Sequence, residues 1–368
     1  MRIGILTFHC AINYGALFQT YGLQEKLKEM GHQVSVIDYS PEYLKRPYRL
    51  FFPERIIGHG FRGNLRMLVR ECLAFPFRLK RNHLFQKFTE KHICLSDFTQ
   101  QSFADHYDTL VIGSDQVWNT NITEGLDPIY WGKDEKVQGV RHISYAASAG
   151  SINSLQQLTT RKIKQCLSGF TALSVREHSL ADFLETVVEI KPQVVLDPVL
   201  LAGRAHYQKL CTAQKSTIPY LLLFTLSGNK EAQNVSKRIA KEKNIEWKEI
   251  ISNNEVIKDL SVIRSASPEN FLSYFQHAEY VVSTSFHGTV FAILFHKPFF
   301  VYCDNENIGE RISNLLKMLH LSDRMLNADS HLESFDDTPI NWDEVDKILE
   351  AKRKESMTFL KNALTVNK

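Results

Sequence analysis

The chain has no CxxC pair, no long uninterrupted apolar run and few glycines or prolines, and each lack excludes a class of protein. Its six cysteines (10, 72, 94, 166, 211, 303) are scattered without metal-ligand spacing. That argues against a zinc site and against a disulfide framework, and for reduced thiols in a cytoplasmic protein. The longest apolar stretch, 289–303, is broken by His296, Lys297 and Pro298 and is too short to span a bilayer. The N-terminus, Met-Arg-Ile-Gly-Ile-Leu-Thr-Phe, reads as a strand with no apolar signal region behind it. The loop that follows, His9–Ala16, holds one glycine, so it is neither a dinucleotide fingerprint nor a Walker loop. With 17 glycines, 11 prolines and 23% charged residues, the composition is that of a globular protein.

At 368 residues the chain exceeds one ordinary core, and two domains are expected. The net charge of +3 hides an asymmetry. Residues 41–92 hold 12 Lys/Arg against 4 Glu, while the remainder holds 32 basic and 37 acidic residues. In the basic segment Leu65, Leu68, Val69, Cys72 and Leu73 form one helical stripe, and Arg62, Arg66 and Arg70 recur every four residues on another face. With the aromatics around it, this segment suits either an anionic membrane surface or a solvated basic face. Nucleic acid is not expected, because the rest of the chain is acidic and carries no binding module.

Buried strands and helices alternate along the chain. Strands are expected over Ile3–Phe8, Gln33–Tyr39, Asp108–Gly113, His142–Ala146, Ala172–Val175 and Gln193–Leu196. A second alternation starts near Pro219, with strands over Tyr220–Leu226, Glu246–Ile251 and the start of Tyr280–Phe300. The expectation is an α/β chain of two doubly wound domains facing across a cleft. The divisions are 1–205, with a basic insertion at about 41–92, then 206–345, then a C-terminal helix over 346–368 that crosses back to the first domain. The domain boundary is sought within 199–218.

Chemistry-bearing residues fall at strand ends, where open α/β sheets bind ligands. His287-Gly288 sits between a strand and a helix, as an acid or phosphate partner or as a turn cap. Gly113-Ser-Asp-Gln-Val-Trp-Asn119 follows a buried strand. There Asp115 is a candidate general base, and Trp118 and Asn119 a sugar cradle; the alternative is a helix cap with the indole in the core. Asn13 and Gly15 suit either sugar hydroxyls and close approach or an ordinary turn. Arg176 suits a phosphate or carboxylate, or else pairs with Glu177. Arg311 opens a later helix and adds positive charge.

Taken in order, these stretches resemble the polysaccharide pyruvyl transferase family. The matching pieces are Ile3–Phe8 with Asn13–Gln19, Gly31–Tyr39, Ile112–Asn119, Ser144–Ser148, Ser174–Glu177, Leu196–Leu200 and Ser283–Gly288, covering about residues 1–320. The resemblance implies a GT-B-like fold of two Rossmann-like domains. It implies transfer of a pyruvyl group from phosphoenolpyruvate to a sugar as a cyclic ketal, with no metal or other cofactor. It assigns His287 a catalytic role toward the donor, with Gly288 beside it, and Arg176 donor-anion binding. Some members carry Arg where this chain has Ser285; Arg311 or Lys297 is then expected to supply the missing charge at the donor site. The expected acceptor is a lipid-diphosphate-linked saccharide, with a hexose such as galactose ketalised at its 4- and 6-hydroxyls. That places the protein at the inner face of the cell membrane. The rival readings are a GT-B glycosyltransferase using a nucleotide sugar and a non-catalytic glycan-binding module.

Overall fold

The computed structural model describes residues 1–98, 102–212, 218–252, 262–303, 306–326 and 338–365, with 306–308 as backbone only. Part of the 199–218 boundary stretch and the tail 366–368 of the expected last helix lie outside these. The chain divides into two compact units: residues 1–47, 89–203 and 347–368 form the first, and 48–88 with 204–346 the second. Most of the basic insertion therefore groups with the second unit, although the sequence suggests the first.

The first unit holds a six-stranded parallel sheet of β1 (Arg2–Leu6), β2 (Gln33–Ile37), β3 (Leu95–Ser96), β4 (Thr109–Gly113), β5 (Arg141–Tyr145) and β6 (Phe170–Ala172). Its order is β3-β2-β1-β4-β5-β6. Every residue of β4 is buried, as expected for a parallel strand covered on both faces. The order reverses direction at β1, so crossovers of one hand put helices on opposite faces and leave a crevice at the carboxyl ends of β1 and β4. Helix α1 (Tyr14–Glu29) makes the first crossover. The single strand expected over Ala172–Val175 is split. β6 ends at Ala172, and β7 (Ser174–Val175) pairs instead with β8 (Gln193–Val194) in a two-stranded sheet.

The second unit repeats the pattern. Its strands β9 (Tyr220–Thr225), β10 (Glu246–Ile251), β11 (Val262–Ile263), β12 (Tyr280–Ser283), β13 (Phe299–Tyr302) and β14 (Met325–Leu326) lie in the order β11-β10-β9-β12-β13-β14, all parallel. Residues 60–92 of the basic segment form one helix, α2 (Gly60–His92), which runs on through Pro76. Short helix α3 (Pro198–Ala202) closes the first alternation. Helices α4 (Phe286–Leu294) and α5 (Glu306–Met318) flank β13, and α6 (Trp342–Thr365) ends the described chain. From residue 347 onward α6 packs on the first unit. Ser356 Oγ accepts from Leu196 N at 3.0 Å, and Arg353 Nε donates to Leu200 O at 2.8 Å.

Candidate active site

In the second unit the fully buried strand β12 ends at Ser283, and Ser285 starts α4 as its N-cap. Ser285 Oγ accepts from Gly288 N at 3.0 Å, and its carbonyl accepts from Thr289 Oγ1 at 3.0 Å. A capping hydroxyl satisfies a donor that the first helical turn would otherwise orphan, which accounts for serine here. Gly288 is sterically required, since a Cβ there would lie 2.1 Å from Ser283 Oγ and 2.7 Å from Phe224 Cδ1. His287 occupies the second helical position and is half-buried, its ring perpendicular to that of Phe286 at 5.2 Å between centroids. Arg311 on α5 places its guanidinium over the same Phe286 ring, 5.9 Å from the centroid. An imidazole, a guanidinium and the positive end of a helix dipole thus gather around Phe286, and all three favour an anion.

Lys297 does not join this group. Its backbone N donates to Ala292 O at 2.9 Å, beyond the opposite end of α4. Burial lowers its pKa, and Glu279 and Arg204 are its charged neighbours. A hollow of ≈ 540 Å³ lined by Lys243, Glu279, Arg324 and Ile340 lies at the amino ends of the same strands, away from His287.

In the first unit the candidates follow the carboxyl ends of β1, β4 and β7. Gly113 has φ 135°, and a Cβ there would meet Tyr145 O at 2.5 Å. Ser114 follows at φ 70°, a costly conformation for a residue with a side chain, and its Oγ lies 3.3 Å from Thr7 Oγ1. This turn aims Asp115, half-buried, whose Oδ1 accepts from Gln116 N at 2.7 Å and whose carbonyl accepts from Ser148 N at 3.1 Å.

Arg176 departs from its expected part as a donor-anion ligand. Its side chain is 4% exposed, with Nε 3.0 Å from Glu177 Oε1 and Nη1 3.1 Å from Asp197 Oδ2. Gln19 Nε2 also donates to Asp197 Oδ2, at 2.7 Å, and Ser148 Oγ to Glu177 Oε1, at 2.8 Å. Burial works against the guanidinium charge, but Glu177, then Asp197 and Asp115, outweigh it and raise the pKa. The residue is committed to carboxylates of its own unit.

Trp118, expected to stack on a sugar, is fully buried. It lies on Trp131 with centroids 4.9 Å apart and rings 17° from parallel, and its Nε1 donates to Tyr130 O at 3.1 Å. The loop after Ser114 turns the indole into the core. Asn119 is half-buried and shapes that loop: Nδ2 donates to Gln116 Oε1 at 2.7 Å, and Oδ1 accepts from Asn121 N at 3.1 Å. Asn13 is the N-cap of α1, its Oδ1 accepting from Gly15 N at 2.8 Å and Ala16 N at 3.3 Å.

One pair was not singled out from sequence. His9, 5% exposed, places Nε2 3.0 Å from Asp38 Oδ1, and Ser40 Oγ donates to the same oxygen at 2.6 Å. The Asp38 side chain is 49% exposed. The His9 hydrogen bond above all pulls its pKa down to about 2. A half-exposed carboxylate with a lowered pKa therefore stands at the carboxyl end of β2. The neighbouring Cys10 thiol is pushed up by burial, which keeps it protonated. The signal for Asp38 was its position: an acid directly after the second strand of such a sheet is where a sugar hydroxyl is read.

Two Rossmann-like domains in one chain, each with polar or charged side chains at its strand carboxyl ends, define an α/β chain of GT-B-like type. The model of the family "Polysaccharide pyruvyl transferase" matches residues 13–306. The chain belongs to that family, whose members are transferases, and is thereby an enzyme of polysaccharide pyruvylation. No curated protein sequence matches significantly. Among solved structures, the Methanocaldococcus jannaschii UDP-GlcNAc 2-epimerase in complex with UDP-GlcNAc and UDP is 14% identical, with TM-score 0.46 over 95% of this chain and 99% of that one. A putative UDP-N-acetylglucosamine 2-epimerase from Listeria monocytogenes is 10% identical, with TM-score 0.46 over 97% of each chain. The Streptomyces sp. SF2575 glycosyltransferase SsfS6, complexed with thymidine diphosphate, is 12% identical, with TM-score 0.43 over 97% and 96%.

Proposed function

We propose that the enzyme moves the enolpyruvyl-derived group of phosphoenolpyruvate onto a hexose of a lipid-linked polysaccharide precursor, closing a 4,6-ketal and releasing phosphate. One observation carries this reading: His287 opens α4 with the Arg311 guanidinium over the neighbouring ring. The donor is a small enol ester bearing a carboxylate and a phosphate. The start of α4, shaped by Ser285 and Gly288, and Arg311 beside it would receive those anions. His287, protonated, gives its proton to the donor methylene carbon as a sugar oxygen bonds to C2. Asp115 takes the proton of that hydroxyl. The second hydroxyl then attacks C2, the bond from C2 to the phosphate oxygen breaks, and phosphate leaves with the electron pair and takes up the proton of that second hydroxyl.

The first-unit residues Asn13, Gly15 and Asn119 shape the acceptor side, and Asp38 accepts a hydrogen bond from an acceptor hydroxyl. Arg176 holds Glu177 and Asp197, so it serves as a positioning residue. The reading calls on no metal or other cofactor. It places the work at the inner face of the cell membrane, where the acceptor's lipid is anchored.

Thermal shift with phosphoenolpyruvate and with a set of nucleotide sugars tests the donor, because a ligand of the native state stabilises it by mass action. Incubation with phosphoenolpyruvate and lipid-linked saccharides, read by mass and phosphate release, tests the transfer. Stabilisation by a nucleotide sugar alone would turn the assignment to glycosyl transfer. Binding of glycans without phosphate release would turn it to a non-catalytic module. His287→Gln should abolish turnover with the melting temperature unchanged; near-normal phosphate release would remove His287 from the mechanism.

A further inference from the structure

Helix α2 turns many apolar side chains outward over residues 61–79. Its buried residues are Glu71, Ala74, Arg78, Arg81, Phe85 and Phe88. Glu71 is fixed there by Arg78 Nη1 at 2.5 Å and by Phe52 N at 3.2 Å. The opposite side carries Phe61, Leu65, Leu68, Cys72, Phe75 and Leu79, all exposed, with Phe61 at 85%. Of the thirteen large hydrophobics exposed among the described residues, nine lie within 57–79. An ordinary surface helix turns such a stripe inward, so an outward one marks a surface that is covered in use.

The charges beside the stripe choose the cover. Within 48–88 the exposed charged residues are Arg49, Arg55, Arg62, Arg66, Arg70, Lys80 and Lys87 against Glu54 alone. Two copies of so basic a face would repel each other, whereas an anionic bilayer attracts it. The helix does not cross: among the described residues no helix is long and apolar enough to span a membrane. We infer that α2 lies in the plane of an anionic lipid bilayer, with the Phe61–Leu79 stripe seated among the acyl chains and Arg62, Arg66 and Arg70 at the headgroups. This deepens the lipid-linked-acceptor reading above, but it stands on the exposed stripe and the charges beside it.

The test is co-sedimentation of the full chain with phosphatidylcholine vesicles and with vesicles containing phosphatidylglycerol, without donor or acceptor. A failed transfer assay then leaves the result untouched. The parent should bind the anionic vesicles, and Leu65→Gln/Leu68→Gln/Phe75→Gln should weaken that binding at least tenfold. These side chains are exposed, and an unchanged circular-dichroism melt controls for folding. An environment-sensitive dye on Cys72, in a Cys94→Ser background, should shift to the blue on vesicle binding. Equal binding of parent and triple variant would overturn the inference. So would binding that vanishes at high salt with no dye shift, since charge alone would then hold the protein. Dimerisation through the stripe without vesicle binding would overturn it in favour of a second copy.

Discussion

Arg176 lies between two carboxylates with almost no surface in water, and removing it strands both of them in the interior. Breaking a buried ion pair from one side costs about 3–5 kcal/mol. Arg176→Met should therefore lower the urea-unfolding free energy by about that much, while donor KM in the folded fraction stays the same. A stable variant with a sharply raised KM would return Arg176 to the donor. Asp38 gives a prediction with a sign. Its folded pKa of about 2 lies below the ordinary 3.8, so its contribution to stability is complete above the ordinary value and fades as pH falls toward 2. The exposure of the carboxylate keeps that contribution small. Carboxyl NMR should find Asp38 among the last acids to protonate, and Asp38→Asn should flatten the acid limb of the stability curve between pH 4 and 2. A midpoint at the ordinary value would dissolve the His9 bond as its cause.

The strand-to-helix joint at β12 and α4 accounts for serine at position 285. The side chain is 3% exposed and caps the helix, so its position faces the protein. Ser285→Ala should cost about 1 kcal/mol as a lost cap. Ser285→Arg should cost more, because it also buries a charge, and should not improve donor affinity; an Arg variant with equal stability and tighter donor binding would refute this. The same joint was legible in sequence because a buried apolar strand, a serine and a His-Gly pair fall in fixed order. The long strands β1, β4 and β9 were legible for a like reason: short, mostly apolar runs bounded by turns. The edge strands β3, β11 and β14 were not, since two residues carry no period. The two readings of Trp118 and of Arg176 stayed open in sequence because a strand end aims its residues by backbone torsion. Nothing in the letters Ser-Asp-Gln-Val-Trp announces φ 70° at Ser114. The outward stripe of α2 was half-legible: the period was plain, but which face meets the protein depends on the Glu71–Arg78 pair seven residues apart.

Both sheets have the same strand order, yet neither unit is one continuous stretch of chain. The first unit needs residues 347–365, which arrive after the whole second sheet has been made. Those residues bring Leu349, Phe359, Leu360 and Leu364 to burial, and they engage Leu196 N through Ser356 and Leu200 O through Arg353. Arg141 Nη2 also donates to Leu364 O at 2.9 Å. At about 1.5–3 kcal/mol for each buried side chain, the four contribute about 6–12 kcal/mol. That matches the whole stability of a typical domain, about 5–15 kcal/mol. A chain ending at Asp346 should therefore leave the first unit unable to hold its fold while the second persists. Hydrogen exchange read by mass should show protection lost in β4 and β5 and kept in β9 and β12. Equal protection in both sheets would mean that α6 is dispensable, and that the first core closes over Leu196 and Leu200 without it.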